Sequence, residues 1–135
     1  MNKHFVLSDI EFELMSFFWD QTTPVTFADI LHFCNDKKGW NWAKTTAHTY
    51  VTRLMKKKLL DMNNISGARR TYFAKISREE FALYSAQELV DTSFSGSLKN
   101  LILSLVPNRC LTQKDVEELH QILDQLVKEK DLPEN

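Results

Sequence analysis

With 135 residues, 43% of them hydrophobic, the chain can form one domain with a real core, or a small domain plus an appendage. Cys34 and Cys110 lie far apart without C-x-x-C spacing, no signal peptide precedes Leu7, and no apolar run approaches membrane-spanning length. These features argue against a disulfide scaffold, a secreted chain and membrane insertion, and favour a reducing cytoplasm with both cysteines as small buried apolar residues. The net charge of −1 conceals a strong segregation: residues 1–36 carry −5, residues 37–75 carry +9 with Asp61 as their one acid, and residues 76–135 carry −5. A basic middle between acidic ends is the footprint of a localised polyanion site.

Leu7-Ser8-Asp9-Ile10-Glu11-Phe12 predicts a helix start, with Ser8 as N-cap, Glu11 completing a capping box, and Leu7 and Phe12 at the hydrophobic-staple positions. This helix is expected to run to about Asp20, with Phe12, Leu14, Met15, Phe18 and Trp19 facing a core, until Gln21-Thr22-Thr23-Pro24 breaks it. Val25 suits a short strand. Thr26 with Asp29 opens a second helix whose inner stripe is Phe27, Ile30, Leu31 and Cys34, and Asn35 to Gly39 ends it. Trp40 and Trp42, in the turn that follows, are expected to pack the corner rather than line a phosphate path, because aromatic bodies carry large buried area.

Residues Trp42 to Lys58 predict a third helix. Ala47, Tyr50, Val51 and Leu54 recur at spacings of three and four and share one face. The opposite face holds Thr45, His48, Thr49, Thr52 and Lys56: short hydroxyl groups, an imidazole and a cation, with no carboxylate. Such a face suits a major groove, where small side chains reach base edges and thymine methyls while cations meet phosphate. Leu59 to Ile65 and Arg69 to Ile76, around Gly67, predict a β-hairpin with Arg69 and Arg70 at its tip. Three helices followed by a hairpin is the order of a winged helix-turn-helix, with the arginine pair on backbone phosphate or in a minor groove.

Ser77 with Glu80 opens a further helical region to about Val106, which Gly96 is expected to kink or divide, before Pro107-Asn108 ends it. Phe94, Leu98, Leu101, Ile102 and Leu105 form one apolar seam. Thr112 with Asp115 opens the last helix, where Val116, Leu119, Ile122, Leu123, Leu126 and Val127 form another, and Asp131 to Asn135 is a polar tail. Two striped helices make a poor core alone, so a dimerisation module closed by a second chain is expected. The fold expected is mainly α with a small β-hairpin: an N-terminal winged helix-turn-helix over residues 1–76 and a C-terminal helical dimerisation region over residues 77–135.

No catalytic constellation emerges, so the chain is not expected to be an enzyme. His4, His32, His48 and His120 are scattered, and His32 and Cys34 point to different faces of one helix, so neither a metal site nor a cofactor is expected. No glycine-rich phosphate loop is present.

The opening Leu7-Ser8-Asp9-x-Glu11, a first helix ending in Trp19, and Trp42-x-x-x-Thr46-x-x-Thr49-x-x-Thr52-Arg53-Leu54 followed by Lys56-Lys57, a Gly67 wing and Tyr72 together resemble the BlaI/MecI/CopY family of bacterial repressors. Gly96-Ser97-Leu98 and Glu117-Glu118-Leu119-x-x-Ile122-Leu123 resemble its β-lactam-resistance branch. The resemblance covers nearly the whole chain. It implies a homodimeric repressor on a dyad-symmetric operator upstream of β-lactamase or penicillin-binding-protein genes, released when a membrane sensor metalloprotease triggers cleavage in the dimerisation region, here near Ser104 and Leu105. The chain departs from the family pattern in carrying Lys44-Thr45 before the first recognition threonine, Lys58 where glycine is customary, Ala68 where a wing arginine follows the glycine, and Ser104-Leu105 in place of an Asn-Phe pair. The C-terminal Cys-x-Cys cluster of the copper-responsive branch is missing from the sequence.

The expected interface with double-stranded operator DNA has Thr46 and Thr49, with Thr45 and His48, at base edges. Lys44, Thr52, Arg53, Lys56, Arg69 and Arg70 hold phosphate, unless Arg53 fixes the helix to its own domain. The expected dimer interface comprises Phe94, Leu98, Leu101, Ile102, Leu105, Leu119, Ile122, Leu123 and Leu126. The alternative is a winged-helix protein-interaction module without DNA binding, since the fold alone does not prove DNA contact.

Overall fold

The computed structural model describes residues 6–65, 67–108 and 111–129. The expectations for His4, Cys110 and the tail 131–135 lie outside the described residues. In chain order the elements are α1 (Asp9–Trp19), β1 (Val25–Thr26), α2 (Phe27–His32), a π-helical turn (Phe33–Lys37), α3 (Lys44–Lys56), β2 (Leu60–Asn63), β3 (Thr71–Ala74), α4 (Arg78–Ser93), α5 (Leu98–Leu105), a 3-10 turn (Val106–Asn108) and α6 (Gln113–Glu129). The chain divides into two compact units, Met1–Leu89 and Val90–Asn135.

The helix starts follow from local chemistry. The Ser8 hydroxyl accepts from the Glu11 N–H at 3.2 Å while Glu11 accepts from the Ser8 N–H at 2.9 Å. Thr26 and Asp29 repeat this reciprocal pair, as do Ser77 with Glu80 and Thr112 with Asp115. Each box satisfies two amides that a helix N-terminus otherwise leaves open.

The first unit closes around Leu14, Met15, Ile30, Cys34, Val51, Leu54, Leu59 and Leu60, all buried. Phe12 departs from expectation: it is 44% exposed and packs only its ring against Trp19 and Phe81. The buried stripe of α1 is Glu11, Leu14, Met15 and Phe18, a spacing of three, one and three that leaves Phe12 at the margin. Glu11 is therefore inside, and Lys57 reaches both its carboxylate oxygens at 3.0 Å and also the Val6 carbonyl. Burial resists ionisation of Glu11, but the Ser8 amide and the Lys57 ammonium outweigh it and hold its pKa below the ordinary glutamate value.

The three strands form one antiparallel sheet in the order β1-β3-β2. The hairpin pairs Leu60 with Ala74, Asp61 with Phe73, Met62 with Tyr72 and Asn63 with Thr71, and Val25 of β1 pairs with Tyr72 on the other edge of β3. Residues 64–70 connect β2 to β3, with Ser66 outside the described residues. The expected hairpin is thus present, with shorter strands than its β-rich runs suggest and a third strand added.

Helix α2 is short because the chain widens into the π turn. Lys38 N–H donates to the Phe33 carbonyl and Trp40 N–H to the Cys34 carbonyl, and Gly39 takes φ +69° to make the exit. Helix α3 begins at Lys44 rather than Trp42. It ends with Lys58 N–H on the Met55 carbonyl and Leu59 N–H on the Leu54 carbonyl, a Schellman closure whose left-handed position is Lys58 at φ +68°.

In the second unit, Ser95 (φ +52°) and Gly96 (φ +80°) end the helical run and Ser97 caps α5, so the expected break at Gly96 is a full one. The apolar seams of α5 and α6 lie on the surface of this single chain: Phe94 and Leu101 are half-buried, while Leu98, Ile102, Leu105, Leu119, Ile122, Leu123 and Leu126 are exposed.

A side chain at the left-handed position after α3 carries a steric cost that glycine lacks. Lys58→Gly is expected to stabilise the chain by up to about 1 kcal/mol, with the gain partly offset by glycine's greater freedom when unfolded. Urea unfolding of both proteins at equal concentration checks this, and a lower midpoint for the glycine variant would refute it.

Candidate nucleic-acid interface

Helix α3 is seated by Ala47, Val51 and Leu54, which are buried against the core of the first unit. Seating that face exposes Lys44, Thr45, His48, Thr49, Thr52, Arg53 and Lys56, and leaves Thr46 half-buried. His48, Thr49, Thr52, Arg53 and Lys56 line a shallow depression of about 410 Å³. The face has no carboxylate, and Ala43, the residue before α3, gives the helix no side-chain cap.

Two devices set the approach to α3. The first is Asn35, in the π turn. Its Oδ1 accepts from the Trp42 N–H at 2.7 Å and its Nδ2 donates to the Trp42 carbonyl at 3.0 Å, so one amide side chain holds both backbone groups of the residue two positions before α3. Asn41, at φ +58°, turns the chain into this clamp. The second is a file of aromatic rings. Phe17 stacks on Phe33 (4.5 Å), Phe33 meets Trp40 edge-on (5.9 Å), Trp40 contacts Trp42 (4.7 Å) and Trp42 stacks on Tyr50 of α3 (4.5 Å). The guanidinium of Arg53 lies over the Tyr50 ring at 4.8 Å, and ends the file. Trp40 and Trp42 therefore pack the corner, as their bulk predicts.

Several exposed side chains on α3 are constrained. His48 stacks face to face on Phe27 of α2, with centroids 3.9 Å apart and ring planes 8° from parallel. Thr49 donates its hydroxyl to the Thr45 carbonyl at 2.9 Å. Arg53 keeps its exposure but borrows its orientation from Tyr50.

The positive charge of residues 37–75 is partly consumed inside the protein. Lys57 is committed to Glu11 and Lys38 pairs with Glu13 at 2.7 Å. Lys44, Arg53 and Lys56 stay exposed on α3, and Arg69 and Arg70 stay exposed on the β2–β3 connection, where the Ala68 N–H closes a turn onto the Ile65 carbonyl. Ser104 and Leu105 occupy the last turn of α5 and are exposed, with the Ser104 hydroxyl donating to the Leu101 carbonyl.

Among the described residues no group of three or more His, Cys, Asp or Glu side chains is placed to hold a metal. His32 pairs with Asp36 and His120 with Asp124, each one helical turn apart. Burial pushes the Cys34 thiol up to about 11, far from thiolate chemistry. No described helix is long and apolar enough to cross a membrane.

Sequence reasoning missed three contacts that shape the surroundings of α3: the Asn35 bonds to Trp42, the stack of His48 on Phe27, and Glu11 as the counter-ion of Lys57. Asn35 carried a usable signal, being a residue with both a donor and an acceptor in a segment that had to turn towards α3.

A family model described as penicillinase repressor matches residues 7–125. The methicillin resistance regulatory protein MecI of Staphylococcus aureus (strain N315) is 24% identical over 123 residues, which cover 91% of this chain and 97% of that protein. The penicillinase repressor of Bacillus licheniformis is 26% identical over 119 residues, 88% of this chain and 90% of its own length. The penicillinase repressor of Staphylococcus aureus is 24% identical over 129 residues, covering 94% and 98%.

Asn35→Ala removes both bonds to Trp42 and leaves two partly buried backbone groups to find water. It is expected to cost about 2 kcal/mol of unfolding free energy. Asn35→Asp, which keeps the acceptor and loses the donor, is expected to fall between the two in a denaturant titration; an alanine variant as stable as wild type would show the clamp to be dispensable.

Proposed function

The chain belongs to the penicillinase-repressor family, a family of transcriptional regulators, and from that premise we propose that it represses transcription as a homodimer bound to a dyad-symmetric operator in duplex DNA. The observation that carries this reading is the acid-free, exposed face of α3, flanked by the Arg69–Arg70 wing within a segment of net charge +9. In this reading α3 enters the major groove. Thr45, Thr46, His48 and Thr49 meet base edges, Lys44, Thr52, Arg53 and Lys56 meet phosphate, and the wing arginines hold the backbone beyond the groove. The Asn35 clamp and the ring file fix the angle at which α3 leaves the domain. Residues 1–76 act as the DNA reader and residues 77–135 as the dimerisation region.

Dimerisation is supported by the exposed seams. Leu98, Ile102 and Leu105 on α5 and Leu119, Ile122, Leu123 and Leu126 on α6 would leave a large apolar area in water if the chain stayed single. Phe94 and Leu101 complete the seam. Two copies related by a dyad present two recognition helices to two half-sites, which strengthens binding that one small domain achieves only weakly.

The regulated genes are proposed to be of the β-lactam-resistance type, in keeping with relatives that bear the names methicillin resistance regulator and penicillinase repressor. The site of action is the cytoplasm. Release by a membrane sensor protease would fall at Ser104–Leu105, where both residues are exposed but the family's Asn-Phe pair is replaced.

Two measurements test this. A duplex enriched from a random pool by the wild-type chain serves as probe. Its binding to Arg69→Ala/Arg70→Ala is expected to fall, with the slope of log affinity against log salt reduced by about one for each phosphate that the variant no longer neutralises. An unchanged slope would remove the wing from the interface. Ile122→Glu puts a charge into the apolar seam and is expected to convert a dimer to a monomer in analytical ultracentrifugation, with weaker affinity for the two-half-site probe. A wild-type chain that sediments as a monomer at micromolar concentration would end the dimer proposal.

A further inference from the structure

Thr49 sits in the middle of the exposed face of α3, in the depression it shares with His48, Thr52, Arg53 and Lys56. A threonine carries two groups able to recognise a base: a hydroxyl with one donor and two acceptor lone pairs, and a methyl group. In this chain the donor is already used, since the hydroxyl donates to the Thr45 carbonyl one turn back at 2.9 Å. That bond selects the rotamer in which the oxygen lies along the helix, a choice open to threonine because its oxygen can reach the preceding turn. Guanine presents only acceptors in the major groove, at N7 and O6, and an oxygen whose proton is committed offers them nothing. The methyl group carries no such tie. Its natural counterpart in the groove is the 5-methyl of thymine.

Neighbouring residues narrow the choice further. His48 is held against Phe27, with centroids 3.9 Å apart, and Arg53 is held over Tyr50. Two of the side chains that share the depression with Thr49 are thus fixed by their own partners, so the depression is a preformed surface. Resting on the DNA-binding reading above, we infer that Thr49 is a specificity-determining residue that recognises thymine by contact between its γ-methyl and the base 5-methyl, and that its hydroxyl serves the helix instead of the DNA.

The inference separates two substitutions that a hydroxyl-based contact would rank in the opposite order. Thr49→Val keeps the methyl and deletes the hydroxyl; Thr49→Ser keeps the hydroxyl and deletes the methyl. The probe is the duplex enriched from a random pool by the wild-type chain, together with copies in which each thymine in turn is replaced by deoxyuridine. One thymine per half-site is expected to be sensitive. There deoxyuridine should weaken wild type and Thr49→Val by about fourfold, the effect of one methyl-sized apolar contact on the affinity scale. Thr49→Ser should bind the all-thymine probe more weakly by a similar factor and be indifferent to deoxyuridine. If no thymine is sensitive, the methyl assignment is overturned; if Thr49→Ser binds like wild type while Thr49→Val does not, it is overturned in favour of a hydroxyl that accepts from adenine N6 or cytosine N4. If the wild-type chain enriches no duplex from the pool, the DNA-binding reading itself fails and takes this inference with it, so the two failures are distinguishable.

Discussion

The amide of Asn35 holds both backbone groups of Trp42, and the position of α3 depends on that pair of bonds. Everything upstream delivers Asn35 to its place. Thr26 starts α2, the chain widens into a π turn at Phe33–Lys37, and Gly39 and Asn41 adopt positive φ to bring the backbone round. Everything downstream inherits the result: α3 starts two residues after Trp42, and its buried face docks Ala47, Val51 and Leu54 into the core. A side-chain amide suits this task because it matches the backbone donor and acceptor of one residue without demanding another strand. The ring file running from Phe17 to Tyr50 adds shape to the same joint, so the approach to α3 is fixed by hydrogen bonds on one side and by packed aromatic surface on the other.

What the sequence made legible was local. The capping boxes at Ser8, Thr26, Ser77 and Thr112 need residues three apart, and all four form. The stripe of Ala47, Val51 and Leu54 follows from helical spacing alone, and so does the acid-free opposite face of α3. The candidate interface was legible as a composition, a face of hydroxyls and cations, but not as a mechanical arrangement. Glu11 was read as a cap, yet it is also the buried partner of Lys57, 46 residues away, and no local pattern announces a pair so distant. The back-bonded hydroxyl of Thr49 and the stack of His48 on Phe27 likewise depend on rotamers and on packing between helices. Phe12 shows the limit from the other side: its apolarity suggested a core residue, whereas the phase of α1 turned Glu11 inward in its place.

Charge is arranged in the same spirit as packing. Lys57 and Lys38 are spent on Glu11 and Glu13, and each ties α1 to the basic middle of the chain. Lys44, Arg53, Lys56, Arg69 and Arg70 remain outward. A tally over residues 37–75 therefore overstates the charge available to a polyanion; these five lie on α3 and the wing, while Lys37, Lys58 and Lys75 are exposed elsewhere. In the second unit α6 is acidic, α5 carries Lys99 and no acid, and the apolar seams of both face water in the single chain. The two units thus differ in kind: the first exposes an acid-free cationic face, the second apolar area.

The contact of Trp40 with Trp42, at 4.7 Å between ring centroids and 31° between planes, has an optical consequence. Two indoles so close and mutually tilted couple their electronic transitions, and Tyr50 stacked on Trp42 lies within easy range for excitation transfer. Trp19, packed beside Phe81 and under Arg78, belongs to a separate cluster. The near-ultraviolet circular dichroism of the chain should thus be dominated by the joint at the foot of α3. The molecule carries a built-in spectroscopic gauge at that joint, sensitive to how the helix is seated and needing no attached dye.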